Sequence, residues 1–101
     1  MTQTIKTKIV GVSRANDDGH SRQTTIRRFV KKGEILLLER ERYNRFDKNA
    51  IAVHAAPLDN INYDDKIGYL NSELAKELAP IMDSGHKIVC QVLNKTGGTL
   101  S

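Results

Sequence analysis

The chain has 101 residues, 39% of them hydrophobic and 28% charged, with a net charge of +4 and a single cysteine. That length makes one domain with its own core, one cysteine leaves no disulfide framework, and no apolar run approaches the roughly 20 residues that cross a membrane. The expectation is a soluble cytoplasmic protein with no membrane partner, its single domain spanning residues 1–96 and residues 97–101 forming a frayed tail.

Residues 5–12 alternate as a strand does, with Ile5, Thr7 and Ile9 on one face and Lys6 and Lys8 on the other. Residues 13–20 are turn chemistry, and Asp17-Asp18 reads as loop solvation because adjacent carboxylates point apart. Ser21 caps a short helix in which Ile26, Phe29 and Val30 fall at i, i+3 and i+4, and Gly33 stops it. Arg22, Arg27, Arg28, Lys31 and Lys32 form the opposite face, read as a solvated surface ahead of a phosphate contact. The run Ile35-Leu36-Leu37-Leu38 implies a strand covered on both faces. Residues 50–55 make the next strand, with Ile51 and Val53 inward; residues 57–65 are a polar connection and residues 66–70 a short strand. Asn71 caps a second helix with Leu74, Leu78 and Ile81 or Met82 buried and Gly85 at its end. Pro80 removes the bond to the Lys76 carbonyl and predicts a kink or a helix in two pieces. Residues 86–93 read as a long final strand that holds Cys90 as a buried, unreactive thiol.

The pattern names no catalytic residues. His20, His54 and His86 lie far apart, no nucleophile elbow or phosphate-binding glycine loop is present, and the chain is read as a non-enzyme with no metal and no cofactor. Charge is unevenly spread: residues 1–48 hold 12 Lys and Arg against 6 Asp and Glu, a net of +6, while residues 49–101 hold 4 against 6, a net of −2. Such asymmetry suits a polyanionic partner on one side of the fold, and equally a solvated basic surface.

The most informative stretch runs from Arg42 to Val53, where a polar loop enters a strand. Asn44, Asp47 and Asn49 are residues that fold onto nearby backbone and stiffen a loop. The loop carries Tyr43 and Phe46 among Arg40, Arg42, Arg45 and Lys48. Aromatics interleaved with cations suit a single nucleic-acid strand, since bases stack on rings while cations hold phosphates. Asn49 is read as a structural residue that ties the loop to the barrel, and Asn44 is divided between that work and a ligand contact. Asp47 reads as a turn cap, and Phe46 either tucks into the fold or serves as a stacking platform.

Asn44-Arg45-Phe46-Asp47-Lys48-Asn49-Ala50-Ile51 followed by Ile67-Gly68-Tyr69-Leu70 resembles the signature of the HIRAN family, with supporting matches at Gly11-Val12, Arg22-Gln23, Gly33 and Glu39-Arg40-Glu41. The likeness extends from about Ile9 to about Val92. It implies a mainly β, OB-like antiparallel barrel of about six short strands with two short helices. It also implies binding of single-stranded DNA, for which the best-understood members take the 3′ end, in DNA repair or processing. In that family the acid corresponding to Asp47 accepts a hydrogen bond from the terminal 3′-hydroxyl, and the ring corresponding to Phe46 is a tyrosine. This chain departs from the pattern: Asn44-Arg45-Phe46-Asp47 replaces Asn-Pro-Tyr-Asp, Ser13-Arg14-Ala15 lacks aromatics, and Ser72 stands where a lysine reaches a phosphate. The expected nucleic-acid-binding set is Arg14, Arg42, Tyr43, Asn44, Arg45, Phe46, Asp47, Lys48 and Tyr69. The alternative is a protein-interaction adaptor that uses the same loop without nucleic-acid affinity, and a protein partner in DNA processing is compatible with either reading.

Overall fold

A computed structural model describes residues 3–55 and 65–95. The elements are β1 (Ile9–Val10), α1 (Arg22–Phe29), β2 (Ile35–Arg40), β3 (Ile51–His54), β4 (Lys66–Leu70), α2 (Ser72–Asp83) and β5 (Cys90–Gln91). The strands form one antiparallel sheet in the order β1-β4-β3-β2-β5, a mainly β, OB-like half-barrel accompanied by two helices. Five strands are present among the described residues, where about six were expected. Most of the polar connection at residues 57–65, and the tail at 97–101, lie outside the described residues.

β3 is the middle of the sheet, and Ile51, Ala52 and Val53 are completely buried. The small side chain of Ala52 is paired across from Tyr69, which leaves room for that ring on the same face. The inner face gathers Leu36, Val53, Ile67, Leu70 and Val92 with Val30 of the α1 cap and Ala75 and Ala79 of α2. Cys90 packs half-buried against this core, and burial pushes its thiol pKa up.

Four expectations change. The apolar run in β2 is covered on one face only: Leu36 is 6% exposed, but Ile35 and Leu37 are 47% and 45% exposed. Alternate residues of a strand face opposite ways, and the helices lie on the Leu36 side. The first strand is two residues long, with Ile5 and Thr7 exposed. The register that pairs Ile9 with Leu70 would set residues 5–8 against the cap and first turn of α2, where β4 has ended. After Val10 the chain turns at Gly11 (φ 75°), so that Asn16, not a strand, takes the Lys66 carbonyl (2.9 Å). The last strand is likewise reduced to Cys90–Gln91, since β5 has one neighbour and shares only Ile35 and Leu36 with it. Finally, α2 is a single helix through Pro80 and not two pieces. That residue is on the exposed side, while the buried stripe is Ala75 and Ala79 flanked by Leu74, Leu78 and Met82; Ile81 faces solvent.

Both helices begin as their caps require. The Ser21 hydroxyl accepts from the Thr24 N–H (3.3 Å), and the Asn71 side chain accepts from the Leu74 N–H (2.9 Å).

The glycine of Ile67-Gly68-Tyr69-Leu70 has a steric cause. Gly68 sits in β4 at φ 154°, and a Cβ there would lie 2.5 Å from both the Ile9 side chain and the Val10 carbonyl oxygen. The neighbouring strand is therefore closed onto bare backbone. Gly68→Ala is expected to destabilise the fold by roughly 2–4 kcal/mol, combining backbone strain with overpacking, and the shift of a urea denaturation midpoint measures it.

Candidate nucleic-acid interface

The loop between β2 and β3 is shaped by its own short polar residues. The Asn44 side-chain oxygen accepts from the N–H groups of Phe46 (2.8 Å) and Asp47 (3.0 Å). One oxygen of the Asp47 carboxylate accepts from the Asn49 N–H (2.8 Å), and the Ala50 N–H donates to the Asp47 carbonyl (3.0 Å). The side-chain bonds to Phe46 and Asn49 are Asx turns, in which a side chain does the work of a backbone acceptor, and the Ala50 bond closes an ordinary backbone turn. Asn49 enters this scheme through its backbone N–H; its side-chain amide, expected to tie the loop down, makes no hydrogen bond there. Arg40 does that tying, donating to the carbonyls of Lys48 (3.2 Å) and Ala50 (2.9 Å).

The loop presents two rings to solvent, Tyr43 at 97% and Phe46 at 94% exposure. Arg45 and Lys48 are exposed beside them, and an open groove of 580 Å³ runs past Glu39, Arg40, Glu41, Arg42, Tyr43 and Asn44.

Arg42 is not a free cation. It and Arg40 converge on Asp83 at the end of α2, each with a nitrogen 2.9 Å from the same carboxylate oxygen. Hydrogen bonds from Arg40 and then Arg42 hold the Asp83 carboxyl below its ordinary pKa. The loop base is thereby locked to a helix, and much of its positive charge is neutralised.

Behind the loop lies a polar cluster. The Glu41 carboxylate accepts from the Asn44 amide (3.0 Å), the Tyr69 hydroxyl (2.8 Å) and the Lys66 ammonium (2.6 Å). Burial is the largest single effect on this carboxyl and opposes its ionisation, but hydrogen bonds from Lys66, Asn44 and Tyr69 together outweigh it and set the pKa below the usual range. For Lys66 burial again opposes charge and the bonds to Glu41 and Tyr69 outweigh it, while burial raises the Tyr69 phenol. The cluster is thus an ion pair bridged by a neutral phenol.

Tyr69 is a contact residue of a different kind from the two loop rings. It is half-buried, with the Arg22 guanidinium 5.5 Å from the ring centroid. Lys66 reaches it chiefly through the hydroxyl (3.0 Å). Arg22 is itself buried at 7% exposure, donating to the Asn16 side-chain oxygen (2.7 Å) and the Gly11 carbonyl (2.9 Å). Its expected place on the solvated face of α1 is therefore corrected: positions 22, 26 and 29 follow helical spacing, so Arg22 continues the inward stripe. Arg14 is exposed on the same Gly11-to-Asn16 turn, where its carbonyl accepts the Arg22 N–H (3.3 Å), and Ser72 is the exposed first residue of α2.

The fold thus gathers three distant segments around Tyr69: the turn with Arg14, the loop with Asn44, and β4 itself. Glu41, Lys66, Asn16 and Asp83 lie outside the sequence-derived set. Spacing could have revealed Arg22. Asp83 joins only through separations of 41 and 43 residues, and Glu41, Lys66 and Asn16, though each has a side-chain partner within six residues, are tied to one another across 25 and 50. Among the described residues, no group of three or more His, Cys, Asp or Glu is placed to hold a metal ion, and no helix is long and apolar enough to cross a membrane.

The family model for the HIRAN domain matches residues 2–98. The helicase-like transcription factor of Oryctolagus cuniculus is 46% identical over 55 residues, which are 54% of this chain and 5% of that protein. The chain thus spans a small fraction of that relative. The crystal structure of the HIRAN domain of human HLTF superposes with a TM-score of 0.50 at 33% identity, covering 75% of this chain and 49% of that one.

The loop geometry separates two neighbouring amides. Asn44→Ala removes the acceptor of two N–H groups and a donor to Glu41, and is expected to cost about 1–3 kcal/mol of stability. Asn49→Ala keeps its backbone bond and is expected to stay within about 0.5 kcal/mol of the parent. Thermal melts of both variants check the order, which reverses if the Asn49 side chain carries the loop.

Proposed function

The chain belongs to the HIRAN domain family, and on that premise we propose that it is a non-catalytic module that binds single-stranded DNA, with a preference for 3′ ends, in DNA repair or processing. The observation that carries this reading is the pair of fully exposed rings, Tyr43 and Phe46, on a loop that Asn44 and Asp47 make rigid. Rigid exposed rings bind bases at low entropic cost, because little freedom remains to be lost. Arg45 and Lys48 are the exposed cations on the same loop that take phosphates, with Arg14 exposed on the Gly11-to-Asn16 turn.

Asp47 supports the end preference. One carboxylate oxygen is occupied by the Asn49 N–H and the other has no partner among the described residues, so it can accept a hydroxyl. A carboxylate repels phosphate, so its presence in a nucleic-acid site makes sense at a terminus that carries a hydroxyl instead. Tyr69, held by Glu41 and Arg22, acts in this reading as a support that sets the loop and the Arg14 turn relative to each other.

The test uses two variants and two ends. Phe46→Ala is expected to weaken binding of a labelled single strand by roughly 1–3 kcal/mol at low and high salt alike, since stacking is largely uncharged. Asp47→Asn keeps an oxygen for the Asn49 N–H but turns an amide NH2, a donor in place of an acceptor, toward the ligand. It is expected to weaken binding of a 3′-hydroxyl strand while barely changing that of a 3′-phosphate strand. Tighter binding of both ends by Asp47→Asn would remove the end preference, and no binding by the parent at low salt would leave the adaptor reading in its place.

A further inference from the structure

The positive charge that the composition assigns to the first half of the chain is not concentrated at the loop. Of the cations there, Arg40 and Arg42 are spent on Asp83 and Arg22 is buried beneath Tyr69. The densest remainder is on α1 and its exit. Residues 19–33 contain five Arg and Lys and no Asp or Glu, and once Arg22 has turned inward, Arg27, Arg28, Lys31 and Lys32 all face solvent.

None of these four forms an ion pair among the described residues, although the fold pairs Arg40, Arg42 and Lys66 with carboxylates. Arg27 meets the Thr24 hydroxyl (3.4 Å), and the Arg28 guanidinium lies 5.9 Å from the Phe29 ring centroid. The nearest acid along the chain, Glu34, is turned to the Lys31 backbone N–H (2.6 Å) and not to its ammonium. A further ammonium arrives from Lys95, which donates to the Ile26 carbonyl (3.3 Å). Two cations in the last turn would suffice to complement the helix dipole. Four exposed cations without an ion pair among the described residues, with a fifth brought to their edge and Glu34 turned to the backbone, exceed that need.

The position of α1 gives the surface a direction. Its first residue, Arg22, packs on Tyr69, which is bonded through Glu41 to the loop of Phe46. Its far end lies where Gly33 bonds the Val92 carbonyl (2.8 Å) beside β5. Eight residues of helix carry a track about 12 Å outward from the site. We propose that the exposed face of α1, with Arg27, Arg28, Lys31 and Lys32, is a second binding surface that takes the phosphate backbone of the nucleic acid as it leaves the loop. This inference rests on the nucleic-acid reading of the loop and extends it from the end of the strand to its flank.

The experiment compares labelled single strands of about four and about twelve nucleotides, the range one such fold covers. The quadruple variant Arg27→Gln, Arg28→Gln, Lys31→Gln, Lys32→Gln is measured beside Phe46→Ala. A second variant, Lys31→Glu with Lys32→Glu, changes only exposed residues beyond the helix, and an unchanged thermal melt checks that its fold is kept. Both α1 variants are expected to leave the short strand's affinity unchanged and to weaken the long one about tenfold at low salt. The slope of log affinity against log salt falls by about 0.7 for each phosphate that is no longer neutralised. If Phe46→Ala weakens both lengths while both α1 variants bind both lengths like the parent, the α1 surface is overturned and the loop reading stands. If the α1 variants weaken the long strand while Phe46→Ala weakens neither, the α1 surface stands and the loop reading falls.

Discussion

The carboxylate of Glu41 is the point on which the arrangement depends. It stands at the end of β2, where the chain leaves the sheet, and draws donors from β4 through Lys66 and Tyr69 and from the loop through Asn44. Burial disfavours each charge taken singly, and the group is tolerable because every member has a partner. The consequence is geometric. Asn44 cannot hold the backbone of Phe46 and Asp47 in place unless its own amide is held, and Glu41 is what holds it. Tyr69 extends the same constraint to Arg22 and the turn at Gly11.

What could be read from the chain follows the range of the interactions concerned. Helix caps are local, and Ser21 and Asn71 announced themselves by residue type and position. The exposed rings and the Asx-rich loop were equally legible, because their physics lies within a few residues. The extent of the outer strands was not. Residues 86–93 have the composition of a strand, but length in a sheet is set by the neighbour, and β5 finds only two residues of β2 to pair with. The apolar run of β2 misled for the same reason, since nothing in Ile35-Leu36-Leu37-Leu38 says whether a helix covers one face or both. Arg22 was readable by spacing, yet residue type suggested the surface, and the ring and carbonyl that welcome it inside come from elsewhere in the chain.

The distribution of acids decides where positive charge remains effective. Asp83 and Glu41 pair with Arg40, Arg42 and Lys66 at the base of the loop, while Arg45 and Lys48 on the loop and the denser set of cations on α1 keep their charge. A net charge summed along the chain hides this division. Stacking is confined to the loop, whereas long-range attraction is shared between the loop's Arg45 and Lys48 and the cations of α1.

Pro80 and Asp83 together give the end of α2 a particular dependence. Proline removes a rung from the helical ladder, and a carboxylate in the last turn sits at the wrong end of the helix dipole. Left to itself this turn would fray. It is held by Arg40 and Arg42, which belong to the base of the loop between β2 and β3. The final turn of α2 and the base of that loop are therefore coupled: fraying of that turn releases Arg40 and Arg42 from Asp83, and displacement of the loop base leaves the helix end without its partners.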